Sequence, residues 1–434
     1  MNNKILAAAV AGVFAAPVAF AQSTNVELYG RLNAGIDNAS ATGATLTTGG
    51  VNQDYKARMR QWDTGSRLGV RGSEDLGNGL RAIFQIESGV NSDNGQLSSQ
   101  GGQTNASAGV LGSRPTWVGL EGSFGNVKFG RQDIYWGNGT INQTGPNHVN
   151  TDLPWVTGGA GRVSAGVTRQ SNVVAYTTPT VSGLNATLSW SPDTNAGGAP
   201  GITTIGTPTN TPGSTQYNNA ENAAAGKNTN AQLLGLTARG AFGPFQAQYD
   251  FVTKTGTSDQ TAFGTLTVVN ATPRTFANKL GLAWRYVPAG QISLIATAIH
   301  LQNATVSSSE QIAGSTMTAG LENLNQNTVG VTWEHLVGGN MLLLAQYGQM
   351  MSVKGCSAAN AANVCDNSKA TGYMAGVRYN LSKRTAVFAS YNKVSNGSNQ
   401  YADYAGGAYQ VGPLGATNKG ADPQIVAVGM QHNF

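Results

Sequence analysis

Charge is scarce in this chain: Asp, Glu, Lys and Arg make up 11% of its 434 residues, against roughly 25% in ordinary soluble domains. Cysteine and histidine are scarcer, with two and four residues. Cys356 and Cys365 lie nine apart with no histidine or further cysteine nearby, so a metal site is not indicated. Beyond the N-terminus no stretch approaches the ~18 consecutive apolar residues of a membrane helix, which excludes a helical membrane protein on length. Nor is there a polybasic run. The formal charge is only +5 and is scattered, which argues against nucleic-acid binding.

Glycine is abundant, 58 residues, about twice its usual ~7% share. Many short strands and turns account for that excess. The mean hydropathy of −0.20 reads as soluble, yet a barrel that alternates lipid-facing and water-facing residues averages to the same value. Lys4, the apolar run Ile5 to Phe20 and the small-x-small site Ala19-Phe20-Ala21 predict a secretory signal over 1–21, cleaved before Gln22. The remaining 22–434 is then expected to form one barrel domain.

Period-2 alternation bounded by Gly, Pro, Asn and Ser predicts sixteen strands. They fall near 24–38, 64–73, 79–90, 114–122, 125–131, 172–178, 183–192, 231–240, 244–254, 275–287, 290–302, 326–336, 340–353, 370–380, 383–394 and 422–434. Their connections alternate between tight turns, such as Glu74 to Asn78 and Val287 to Gly290, and eight long segments, of which 132–171 is the longest. Short turns on one rim and long loops on the other describe a transmembrane antiparallel β-barrel of the outer-membrane type. The final strand, ending at Phe434, is expected to close against the first, so that no edge is left unpaired.

The two faces of each strand agree with this. Val26, Leu28, Leu32 and Ile36 share one face, and Glu27, Tyr29, Arg31, Asn33 and Asp37 share the other. Apolar residues with aromatics toward the ends suit lipid, and the polar face suits a water-filled lumen. A soluble β-sandwich would put its apolar face inside, and sixteen strands would make an unusually large one.

Several stretches carry a family likeness. They are Val26-Glu27-Leu28-Tyr29-Gly30-Arg31, the block Ser66-Arg67-Leu68-Gly69-Val70-Arg71-Gly72-Ser73-Glu74-Asp75-Leu76-Gly77 running on to Glu87, Ser113-Arg114, Gly130-Arg131-Gln132 and the terminal Phe434. With these the chain resembles the Gram-negative general porins, in particular the neisserial and burkholderial branch. The resemblance implies an outer-membrane homotrimer among outer-membrane lipids and lipopolysaccharide, with no cofactor and no enzymatic activity. It also implies a long third loop folded into the lumen, here about 132–171, facing a ladder of basic residues on the wall.

By that resemblance Arg31, Arg67, Arg71 and Arg114 belong to the ladder, and Arg162 or Arg169 completes it. Asp133 and Asp152 are the acids of the constriction, because Trp155 stands where relatives often carry a Glu. Many relatives also have an Arg at the position of Ala175. Arg114 would face the lumen if Trp117 faced outward. Guanidinium groups stay charged and match carboxylate and phosphate geometry, so a channel for small hydrophilic solutes with weak to moderate anion preference is expected. A channel specific for one anion, such as a dicarboxylate, is the alternative, and so is a lumen in which single arginines merely pair with Glu27, Asp37 or Glu87. Phe434 resembles the family's signal for the barrel-assembly machinery, and Cys356 with Cys365 is expected to staple a loop. His148, His300, His335 and His432 are dispersed and suggest neither a metal site nor a triad; a pH effect of His148 on the constriction is the weaker reading. A barrel lipase would need adjacent Ser and His on the lipid-facing surface, and no pair has that placement.

Overall fold

The computed structural model describes residues 24–45, 47–48, 51–93, 97–98, 111–134, 148–151, 153, 169–192, 232–255, 261–263, 266–268, 274–306, 320–404 and 418–434. Sixteen antiparallel strands close into one barrel. In chain order they are β1 (Thr24–Thr42), β2 in two pieces (Tyr55–Asp63 and Arg67–Gly77), β3 (Leu80–Val90), β4 (Thr116–Gly122), β5 (Gly125–Asp133) and β6 (Arg169–Thr177). Then come β7 (Leu184–Ser191), β8 (Leu233–Phe242), β9 (Phe245–Thr255), β10 (Arg274–Val287) and β11 (Gly290–Val306). The last five are β12 (Gly320–Val337), β13 (Met341–Met350), β14 (Ala370–Asn380), β15 (Thr385–Asn396) and β16 (Asp422–Asn433).

Each strand pairs with the next, and β16 pairs with β1 from Asp422↔Thr42 to Asn433↔Arg31. The expected closure is therefore present. It continues one residue further, where Gly30 and Phe434 exchange both backbone hydrogen bonds at 3.0 and 3.1 Å. The Phe434 ring lies over Gly30 so closely that a Cβ there would sit 2.3 Å from the ring. Only glycine at position 30 leaves room for the terminal aromatic.

Burial is inverted relative to a soluble protein. Leu28, Leu32, Ile36, Val118, Phe129, Leu282, Val428 and Met430 are exposed on the outer surface, while Arg31, Asn33, Asp37, Asp250, Lys279 and Gln346 are buried inside. Lipid would cover the first set, and the second set satisfies itself across the wall. The buried Lys279 and Asp250 pair at 3.2 Å, and Asp250 also accepts from Thr237 at 2.6 Å.

Two expectations need correction. The first two strands reach well into the segment read as a loop over 39–63: Asp37 faces Arg60 and Ala39 faces Arg58 in the β1–β2 ladder. In the run Asn38-Ala39-Ser40-Ala41-Thr42 only alanines alternate with the polar residues, so its strand signal is weak. Its small residues nonetheless fit a ladder that the Asp37–Arg60 ion pair, 2.7 Å, holds together. Likewise β11 and β12 extend to Val306 and begin at Gly320, narrowing the connection read as 303–325. Trp117 faces inward: it pairs with Gln85, whereas its neighbour Val118 is exposed outside. A disulfide joins Cys356 and Cys365 across a short helical turn, Ala358–Asn360 and Ala361–Cys365.

Candidate functional site

Four arginines of β2 to β6, Arg67, Arg114, Arg131 and Arg169, cluster on the lumen wall, while Arg60, Arg71 and Arg81 are each taken up by a carboxylate, Asp37, Glu27 and Glu121. Arg67 is the first residue of the second piece of β2, opposite Gly89 of β3. Arg114 lies in the turn before β4, fixed by a hydrogen bond from its backbone N–H to the Glu87 carbonyl at 2.9 Å. Because Arg114 precedes the strand, alternation does not govern it, and it reaches its partner although Trp117 faces inward. Arg131 is on β5 opposite Thr116, and Arg169 begins β6 opposite Asp133.

Two carboxylates link these groups. Glu87 accepts from Arg114 Nε at 2.5 Å, lies 3.8 Å from Arg67 Nε and accepts from the Tyr29 hydroxyl at 2.9 Å. Asp133 holds Arg169 Nε at 2.7 Å. Arg131 donates to the Ser113 carbonyl at 3.0 Å and to Ser171 at 2.8 Å, and makes no ion pair among the described residues. Arg67 lies within electrostatic reach of Arg114 and Asp133, and Arg169 within reach of Arg114 and Arg131. Among the described residues, four fixed positive charges thus share one patch with two negative ones.

Of the other sequence candidates, Arg31 lies directly opposite Arg67 in the β1–β2 ladder, and Arg71 lies further along β2. Arg31 is buried and donates to the Gly65 carbonyl from Nε at 3.2 Å and from Nη2 at 2.7 Å. Gly65 has φ of +64°, and Thr64-Gly65-Ser66 is the break between the two pieces of β2. Arg71 pairs with Glu27 at 2.7 Å and stacks 4.9 Å from the Tyr29 ring. Both partners are about half exposed, nearer the short-turn rim. The pairing alternative therefore holds for Arg71 with Glu27 and for Arg114 with Glu87. Asp152 and Arg162 lie outside the described residues, as does Trp155.

Sequence reasoning left Arg131 off the ladder although it sits in the Gly130-Arg131-Gln132 stretch. Gly130 at φ +136° and Asn172 at φ +58° flank a register shift between Gln170 and Val173. Strict alternation fails there, and only the bulge brings Arg131 to Ser171.

Residues 148–151 and 153 lie against the wall from β13 round through β1 to the break in β2. Asn33 of β1 donates to the Val149 carbonyl at 3.2 Å, and Thr64, in the break of β2, donates to the Asn150 carbonyl at 2.8 Å. Ser390 of β15 donates to Asn150 Oδ1 at 2.5 Å, and Arg378 of β14 to the His148 carbonyl at 3.1 Å. The Leu153 N–H donates to Gln346 of β13 at 3.3 Å. Val149 and Leu153 are fully buried in an apolar cluster with Trp62, Leu344, Met374 and Phe388. Trp62 and Phe388 meet ring to ring at 5.8 Å. Fully burying a Val or Leu contributes about 1.5–3 kcal/mol, and each hydrogen bond about 0.5–1.5 kcal/mol net. For two apolar side chains and five hydrogen bonds, packing and polar contacts are therefore of comparable size in fixing this segment.

His148 lies 4.0 Å from Glu334 through Nε2. Burial first, and then the Arg378 and Arg31 guanidiniums, push its imidazole down to about 4. It stays neutral through mild acid, where the weaker sequence reading would have had it charge.

Over 217 residues the chain is 32% identical to an outer membrane porin protein of Bordetella pertussis, an alignment taking in 48% of this chain and 52% of that protein. Over 204 residues it is 30% identical to the major outer membrane protein P.IB of Neisseria lactamica, covering 45% and 52%. The chain spans about half the length of the curated relatives it matches. Among solved structures, an anion-selective porin from Comamonas acidovorans superposes with TM-score 0.63 at 21% identity, over 95% of this chain and 100% of that one. OmpT of Vibrio cholerae in its trimer form gives TM-score 0.59 at 13% identity, over 95% and 100%; both likenesses are of fold. The family model described as Gram-negative porin matches residues 7–400, and with the barrel closed at sixteen strands this chain belongs to the Gram-negative porin family.

Proposed function

We propose that this outer-membrane barrel is a water-filled channel for passive diffusion of small hydrophilic solutes, with a weak to moderate preference for anions. The observation that carries the preference is the patch of Arg67, Arg114, Arg131 and Arg169, which among the described residues meets the carboxylates of Glu87 and Asp133. A unit charge ~8 Å from an ion contributes about 0.5 kcal/mol in water, and roughly half of that at 0.1 M salt. A net excess of two positive charges then favours anions over cations about five-fold. That is selectivity without tight binding, as conduction requires.

In this reading the segment 132–171 is the constriction loop, held against the wall by the contacts of 148–151 and 153. The protein is a homotrimer after removal of 1–21, inserted by the barrel-assembly machinery through the strand ending at Phe434. No bond is made or broken in its work. The test is the reversal potential of single channels across a KCl gradient: an anion-directed potential supports the reading, and a cation-directed one unchanged by Arg67→Ser refutes the selectivity. Conductance that saturates with one organic anion would instead mark a solute-specific channel.

A further inference from the structure

We infer that Gly376 on β14 is the seat that sets the pore's aperture, because Val149 rests on it. This inference depends on the channel reading above and adds the residue pair that fixes how far the 148–153 segment stands off the wall.

Gly376 lies on the inward phase of β14, between Met374, buried in the apolar cluster, and Arg378, which donates to the His148 carbonyl at 3.1 Å. A Cβ placed on Gly376 would lie 2.9 Å from Leu344 Cδ1, 3.3 Å from Val149 Cγ1 and 3.4 Å from the Ala389 carbonyl. Leu344 and Val149 are both buried, and Leu344 pairs directly opposite Gly376 in the β13–β14 ladder. Leu344 can turn only the end of its side chain aside, and Val149 must give by a few tenths of an ångström within a cluster that close packing leaves little free volume. The Ala389 carbonyl belongs to the β15 wall and yields least. The free direction is toward the lumen.

That direction matters because of where the arginines are. β14 and β6 are eight strands apart in a ring of sixteen, so the seat of Val149 faces the side that carries Arg169. A segment lifted from Gly376 moves toward the arginine patch, and the gap between them shrinks. Hydrogen bonds from Asn33, Thr64 and Ser390 orient the segment. Water can replace each of them, but it cannot replace the apolar packing of Val149 over Gly376. The glycine therefore determines the height and the polar contacts determine the register.

The test is single-channel conductance of the full-length protein in planar bilayers, at fixed salt, for four proteins. Wild type is compared with Gly376→Ala, with Val149→Phe and with the double variant Gly376→Ala/Val149→Ala. Each single variant is expected to lose conductance, and the double variant to recover it, because the methyl added on the wall is removed from the segment. Should Gly376→Ala fail to assemble, Val149→Phe adds bulk from the other side of the same contact and decides alone. Wild-type conductance in both single variants, or no recovery in the double, overturns the seat while leaving the channel intact. A wild-type protein that conducts nothing overturns the channel reading itself.

Discussion

Glu87 and Arg114 are joined twice: the carboxylate accepts from the guanidinium at 2.5 Å, and the Glu87 carbonyl accepts from the Arg114 N–H at 2.9 Å. The backbone bond fixes where the side-chain bond forms, so this acid is committed to the arginine patch and partly cancels it. Replacing Glu87 by Gln keeps the shape and removes one negative charge. Anion preference is expected to rise about twofold at 0.1 M salt, read as a larger anion-directed reversal potential.

Arg67 is held loosely, with its nearest carboxylate at 3.8 Å. Arg67→Ser is expected to lower the anion preference about twofold. Arg131→Ser should do the same, since Arg131 is held by Ser113 and Ser171. Arg71→Ser should change selectivity far less, because Glu27 already neutralises Arg71 in a half-exposed pair. Reversal potentials of the three variants in one salt gradient check the ranking; an Arg71 effect as large as that of Arg67 contradicts it.

His148 is neutral across mild acid because burial and two guanidiniums hold its imidazole down to about 4. Between the unfolded value of about 6.5 and that folded value, the unfolded chain binds more protons. The contribution of neutral His148 to stability is therefore complete above pH ~6.5 and is lost as pH falls toward about 4. Conductance should show no His148 step between pH 8 and 5. Thermal unfolding of wild type should drop more between pH 7 and pH 4 than that of His148→Gln.

Lys279 and Asp250 are both buried and 3.2 Å apart. Lys279→Met leaves an uncompensated carboxylate, and breaking a buried pair in this way costs about 3–5 kcal/mol. The double variant Lys279→Met/Asp250→Leu is expected to recover most of that loss. Heat-induced barrel unfolding on denaturing gels measures both.

The Cys356–Cys365 bond closes a short loop beyond β13. Reduction is expected to cost that loop about 2–3 kcal/mol of constraint and to raise its protease cleavage. Conductance should remain near wild type, since neither sulfur touches the arginine patch.

Much of this was legible in the sequence for a simple reason. A strand with lipid on one side and water on the other must alternate, so Val26, Leu28 and Ile36 declared the outer face and Arg31, Asn33 and Asp37 the inner one. Turn chemistry marked one rim. The failures came where alternation is interrupted. Ala39 to Thr42 is too small and polar to advertise a strand, Arg114 sits ahead of its strand, and the bulge at Gly130 and Asn172 redirects Arg131.

By itself, then, the sequence determined the barrel, its count of strands, its closure at Phe434 and the family, because all four follow from local periodicity and short motifs. Only the tertiary structure decided which charges meet. Glu87 neutralises Arg114, Arg31 turns to the Gly65 carbonyl, and Val149 comes to rest on Gly376 more than two hundred residues away. Those pairings depend on the register of strands around a closed ring, which no local pattern encodes.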